Sequence, residues 1–263
     1  MRKISVAHLT AIHLDPPSFI REAAKAGFDG VGLRLIKVTP ETPGYPMADK
    51  AALQATLDAL DETGLTVPDI EFIKITPDFD IDDYLPTLDT GAALSARHVI
   101  SAPYDDDLNR LSDSLGTLAE AAHERGIKAV MEFFPWTVVP DLATCWQVVQ
   151  NAGPLPGILI DALHFDRSGS THAQIAEIPA DRLPFAHLCD APVHPPYTTD
   201  QLLHTARENR LTPGLGQIDL PAFLNALPAD IPVGLEVPRS DGSTLADIYQ
   251  ATRQLLDRMI PAT

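Results

Sequence analysis

The stretch PGILIDALHF, residues Pro156 to Phe165, decides how this chain is read. It begins as a short apolar run of strand character, yet it carries an acid, Asp161, and three residues later an imidazole, His164. A charged carboxylate does not persist in an apolar wall unless it is paired, hydrogen bonded or bound to a cation. Three other runs repeat the anomaly: KAVMEFF holds Glu132, PFAHLC holds His187 and PVGLEV holds Glu236. Singly, each residue has an ordinary use. Glu132 suits a cap or an ion pair, Asp161 a cap on the next helix, His187 a satisfied core position, and Glu236 a pairing with Arg239. Four such residues on four late strands need a common explanation.

Those runs belong to a series of eight: ISVAHL at 4–9, GVGLRLI at 30–36, VPDIEFIKI at 67–75, HVISA at 98–102, KAVMEFF at 128–134, GILIDAL at 157–163, PFAHLC at 184–189 and PVGLEV at 232–237. Their near-continuous apolar cores point to strands covered on both faces, as in parallel sheets. Between them lie helical stretches with legible ends. PPSFIREAAKAG stops at Gly27, DKAALQATLDALDETG runs from Asp49 to Gly64, and NRLSDSLGTLAEAAHERG runs to Gly126. In the last, Leu111, Leu115, Leu118 and Ala122 form one buried stripe. DLATCWQVVQNAG, DLPAFLNALP and TLADIYQATRQLLDRM repeat the pattern, while THAQIAEIP and the segment from Val193 to Arg210 read as longer loops or short helices over one end. The alternation predicts an α/β fold, either a (β/α)8 TIM barrel or a doubly wound sheet. The polar residues favour the barrel, whose strand ends converge on one face. No low-complexity linker interrupts the chain, so a single domain over residues 1–263 is expected.

The 36 Asp and Glu against 19 Lys and Arg give a formal net charge of -17. That field repels phosphate backbones, and no basic run offsets it, so nucleic acid is excluded as a partner. A small anionic substrate stays open, because a few arginines in a cleft outweigh a remote surface. Cys145 and Cys189 have no metal-binding spacing and read as buried thiols in a reducing compartment, which predicts a cytoplasmic address. The opening MRKISVAHLT has no leader pattern, and no apolar stretch reaches the length of a membrane span. A symmetric homodimer is the base expectation for such a protein.

Three carboxylates and one imidazole, Glu132, Asp161, His187 and Glu236, supply oxygen ligands and one borderline nitrogen, suited to one divalent ion such as Mn, Mg, Co or Zn. His164 is expected just past its strand, facing the substrate. Asp190, three residues after His187, suits either a ligand histidine's second ring nitrogen, a substrate hydroxyl or a loop cap. On the early strands His8, Arg34, Glu71 and Lys74 are candidates for the opposite wall.

The segments VMEFFPW, LIDALHFDRSG, FAHLCDA, ENRLTPGLGQIDL and GLEVPR occur in that order, and with them the chain resembles the xylose isomerase-like TIM barrel superfamily, in particular sugar phosphate isomerase and epimerase-like proteins. The resemblance implies that Glu132, Asp161, His187 and Glu236 hold the metal, that His164 and Asp190 lie near the substrate, and that Gly214, Gly216 and Asp219 form the turn into the eighth unit. It also suggests Arg210 as a substrate-binding arginine, with Arg167 and Arg239 as further candidates. The implied activity is an isomerase or epimerase working through an enolate or enediol, with Glu132 and Glu236 exchanging protons on two faces and His164 assisting. The same pieces serve a dehydratase of a hydroxy-keto acid, dehydroshikimate dehydratase-like, or a metal-dependent hydrolase. The related endonucleases of abasic DNA need a basic surface and a richer ligand cluster than this chain offers.

Overall fold

The computed structural model describes residues 2–40, 42–238 and 242–258. Nine strand segments alternate with helices: β1 (Ile4–Val6), β2 (Gly30–Val31), β3 (Leu33–Arg34), β4 (Asp69–Ile75), β5 (His98–Pro103), β6 (Lys128–Glu132), β7 (Gly157–Asp161), β8 (Ala186–Leu188) and β9 (Val233–Leu235). All pairings are parallel, in the order β2-β1-β9-β8-β7-β6-β5-β4-β3. Because β2 and β3 are the two halves of one strand, parted at Gly32, the ends of that order meet and the sheet closes into an eight-stranded barrel. A Cβ on Gly32 would fall 2.3 Å from Asp69 Oδ1, so the neighbouring carboxyl occupies the space of a side chain there. The predicted TIM barrel is therefore the fold, and the doubly wound alternative falls away.

The surrounding helices are α1 (Pro16–Ala26), α2 (Lys50–Thr63), α3 (Leu85–Ala93), α4 (Leu108–His123), α5 (Leu142–Asn151), α6 (Ala162–Arg167), α7 (His172–Ala176), α8 (Thr199–Glu208), α9 (Leu220–Ala226) and α10 (Leu245–Arg258). Aspartates start most of the long ones. Asp15, Asp49, Asp107, Asp141 and Asp219 each accept a backbone N–H from the first turn of their helix, a cap worth about 1 kcal/mol. Part of the acidic excess is thus structural. Helix α3, in the segment LPTLDTGAA, has no expectation behind it: its Thr and Gly content is weak for a helix. It forms because Leu88 and Gly91 pack inward, Gly91 so tightly that a Cβ would meet Ile70 Cδ1 at 2.6 Å.

Alternation along the strands positions the site. Ile100, Val130, Leu159 and Phe185 form an apolar plug inside the barrel, with Phe72 packed on it. Two residues further along β6, β7 and β8 come Glu132, Asp161 and His187, on the same inward face and one layer nearer the C-terminal mouth. Glu236 stands one residue past β9 in the same layer. Outside the ring, the large apolar core fills the space between strands and helices. Cys145 and Cys189 are buried and free, and no described helix is long and apolar enough to cross a membrane.

Candidate metal centre and active site

Strand β7 ends at Asp161 rather than running to Leu163, and α6 starts at once. Asp161 Oδ1 accepts the N–H of Leu163 and of His164, at 2.8 and 3.1 Å, and so caps α6. Its other oxygen, Oδ2, takes a 2.6 Å bond from Arg210 Nη1. The capping use and the cluster use thus coexist in one carboxylate. His164 consequently lies in a buried helical turn, not a loop.

Glu132, Asp161, His187 and Glu236 each present a ligand atom, and these atoms all lie within 4.8 Å of one another. The fit to a cation is physical as well as geometric. Glu132 Oε1 and both ring nitrogens of His187 are buried without a hydrogen-bond partner, a costly state for polar atoms that a bound ion relieves. Burial and the nearby Glu236 and Asp161 push the Glu132 carboxyl well above its ordinary range. Burial likewise raises Glu236, against the pull of Arg210. For Asp161 the burial effect is overcome by Arg210, His164 and His187, which hold it at about 2. Arg210 bridges two of the acids, its Nη2 standing 2.7 Å from Glu236 Oε2. Three carboxylates, one guanidinium and one divalent ion sum to zero charge. The hard oxygens and single imidazole suit Mn, Mg, Co or Zn.

Above this layer opens a cavity of about 310 Å3 lined by Glu132, His164, Arg210 and Glu236 on one side and by Arg34 and Glu71 on the other. Arg34 Nη2 bonds Glu71 Oε2 at 3.0 Å, both residues being buried. His164 Nε2 stands 3.6 Å from Glu132 Oε1, too far for a hydrogen bond, and burial holds its ring at about pKa 3, hence neutral.

Four expectations need correction. His8 does not face the cavity: its ring is stacked between Phe19 and Tyr45, donates from Nε2 to Leu14 O and accepts Arg34 N–H at Nδ1. It backs the wall rather than forming it. Asp190 also turns away, because its two oxygens accept N–H bonds from Ala191, Gly214 and Ile218 and so fasten the 214–218 turn. Arg167 pairs with Asp166, donates to Pro192 O at 2.6 Å and lies 4.1 Å over the Tyr197 ring, bracing the following loop. Lys74 sends its ammonium to Val38 O. Arg239 lies outside the described residues. Arg210 is in the cavity, though its guanidinium is committed to the cluster acids. Strand-end position alone could not separate these outcomes, since facing depends on local twist.

Sequence reasoning assigned no role to the aromatic side of the cavity, Phe72, Tyr104, Phe134 and Trp136, nor to Arg207. Phe134 and Trp136 carried a usable signal: they follow Glu132 at two-residue intervals. It also passed over Gly234, which pairs with His187 in the sheet. A Cβ there would lie 2.8 Å from His187 Cδ2, so the glycine makes room for the imidazole.

A parallel barrel with a carboxylate and imidazole cluster at its C-terminal mouth defines a class of metal-binding barrels. The chain belongs to the xylose isomerase-like TIM barrel family, whose model matches residues 20–259. Among curated proteins it is similar to a 3-dehydroshikimate dehydratase of Pseudomonas putida, 28% identical over 144 residues, 54% of this chain and 22% of that protein. It is also similar to an inosose isomerase of Bacillus subtilis, 25% identical over 159 residues, 56% of this chain and 55% of that protein. The matches thus span about a fifth and about half of those relatives. In fold it resembles the crystal structure of the IOLI protein with a binding zinc atom, with a TM-score of 0.80 at 20% identity over 98% of both chains.

Proposed function

We propose that the chain is a divalent-metal-dependent isomerase or epimerase acting on a small, sugar-like hydroxy-carbonyl compound through an enolate or enediol. One observation carries this reading: Glu132 and Glu236 belong to the metal cluster and also line the cavity above it. A divalent ion held by the cluster supplies Lewis acidity, which polarises a carbonyl and acidifies the adjacent C–H. Glu132 has no hydrogen-bond partner and so keeps an oxygen for substrate, whereas Glu236 Oε2 is held by Arg210 and meets substrate only by loosening that bond. The two stand on opposite sides of β7 and β8, so one takes a proton from carbon and the other returns one to the opposite face. His164, being neutral, offers a substrate oxygen a hydrogen bond rather than a full charge. Arg34 and Glu71 orient hydroxyl groups from the facing wall. The setting we assign is cytoplasmic, where the two free thiols stay reduced, with the barrel as one domain in a homodimer.

The likeness to the Pseudomonas putida dehydratase favours a second reading, in which the same enolate expels a hydroxyl from the β carbon. Heavy water separates the two. Metal-loaded protein is incubated with candidate hydroxy-ketones in heavy water and followed by proton magnetic resonance and ultraviolet absorbance. Carbon-bound exchange with stereochemical scrambling supports the isomerase, and Glu132→Gln slows it by about a hundredfold or more. Loss of water to a conjugated, ultraviolet-absorbing product supports the dehydratase. Hydrolysis without exchange, or neither exchange nor loss of water with any of the four ions, overturns both.

A further inference from the structure

The cavity continues outward from the cluster along an unbroken aromatic surface. His164 meets Phe134 and Trp136 edge-on at 4.9 and 5.2 Å, Phe134 stacks on Trp136 at 5.0 Å, and Tyr104 lies 6.4 Å beyond Phe134. Lys74 Nζ stands 5.3 Å over the Tyr104 ring. Arg207, the next cation at this mouth, is on the last turn of α8 and lines the cavity.

The charges along this path are unevenly matched. Deep in the cavity every cation is spent: Arg34 on Glu71, Arg210 on Asp161 and Glu236. At the mouth, among the described residues, Arg207 has neither an ion pair nor a hydrogen bond; behind the lining residues Val38 and Tyr104, the Lys74 ammonium bonds only a neutral carbonyl, Val38 O, at 2.7 Å. The two feel each other, since burial and then Arg207 lower the Lys74 pKa. Glu208 adds one negative charge at the rim, 3.5 Å from His204 Nδ1. Two cations against one carboxylate leave a positive mouth on a chain whose formal charge is -17. Such a mouth has a use when the ligand is negative at the end remote from the reacting carbon.

We propose that Arg207, with the Lys74 charge behind it, forms an anion subsite for a carboxylate or phosphate carried by the substrate, with the aromatic wall spanning the distance to the metal cluster. The proposal rests on the catalytic reading of that cluster, but it reassigns anion recognition. Arg210 and Arg167 are committed elsewhere, and the task passes to a residue on α8, backed by the charge of one on β4.

Binding is read by tryptophan fluorescence in the metal-loaded protein, with Trp136→Phe identifying the part of the signal that comes from the cavity rather than from Trp146, and with inorganic phosphate, benzoate and, as a neutral match, benzamide as probes. Phosphate or benzoate is expected to bind more tightly than benzamide. Arg207→Gln should weaken the tighter anion roughly tenfold or more, Arg207→Glu should weaken it further, and Arg207→Lys should restore most of the loss. Preference for phosphate assigns a phosphoryl group, and preference for benzoate a carboxylate. Anion binding that Arg207→Gln leaves untouched places the anion on the cluster instead and overturns the proposal. So does equal binding of benzoate and benzamide without phosphate binding. Arg207 is exposed, so its variants should fold, and a melting curve for each confirms it. Because the readout needs no turnover, a lack of both carbon-bound exchange and loss of water would sink the catalytic reading while leaving this test intact.

Discussion

At the residue scale, Asp161 has one oxygen on the backbone of α6 and one on Arg210, while belonging to the cluster. Its substitutions should therefore separate capping from charge. Asp161→Asn keeps an oxygen that can cap but lacks the negative charge, whereas Asp161→Ala loses both. Both should weaken metal binding by about tenfold or more, as read by titration with Mn. The alanine variant alone should lose about a further 1 kcal/mol in urea unfolding, the usual worth of a cap. Equal stability of the two variants would show that the cap contributes nothing. The aspartate was legible as an anomaly in the sequence because a charge closing an apolar run is costly. Its double use was not, since a cap and a ligand leave the same trace in a sequence.

At the element scale, two-residue alternation places Glu132, Asp161 and His187 directly above Val130, Leu159 and Phe185. That was readable, since the spacing is in the sequence and the strand type follows from Val and Ile. The facing of His8, Asp190 and Arg167 was not, because each sits where a strand has given way to a turn or helix and the period of two no longer applies. Helix α3 escaped for a related reason: its stability comes from contact with Ile70 and Ile127 rather than from its own residues. The pairing of β8 and β9 carries a prediction of its own. Gly234→Ala pushes a methyl against the His187 ring, so metal affinity should fall about tenfold while circular dichroism still reports an intact barrel. Unchanged affinity would mean that the imidazole has room to spare.

At the scale of the whole molecule, two histidines, His8 buried and His98 half-buried, set how the barrel meets acid. His8 and His98 are both held at about pKa 4, chiefly by burial. His98 lies tilted against Phe185, ring centroids 4.8 Å apart, and is bonded through Nδ1 to Pro68 O at 2.7 Å. A histidine whose folded pKa lies below its unfolded value of about 6.5 leaves stability unchanged above that pH and lowers it as pH falls toward 4. Each of these two should cost about 2 kcal/mol at pH 5. Urea unfolding between pH 7 and pH 5 should show the decline, and His98→Asn, which can still donate to Pro68 O, should remove its share. A flat profile in the wild type would contradict the burial argument.

Arg210 brings one more consequence, for the order of events in the life of the chain. By standing between Asp161 and Glu236 it gives two crowded acids a counter-charge made by the ribosome rather than drawn from the cell's ion pool. Folding then need not wait for a metal, and loading becomes a later exchange with solvent through the open mouth. Refolding from urea in the presence of a chelator should recover the native circular dichroism spectrum in the wild type, with ion uptake as a separate and slower signal. Arg210→Met should refold fully only when the ion is supplied from the start. Metal scarcity would then silence this barrel without destroying it, and resupply would revive molecules already made.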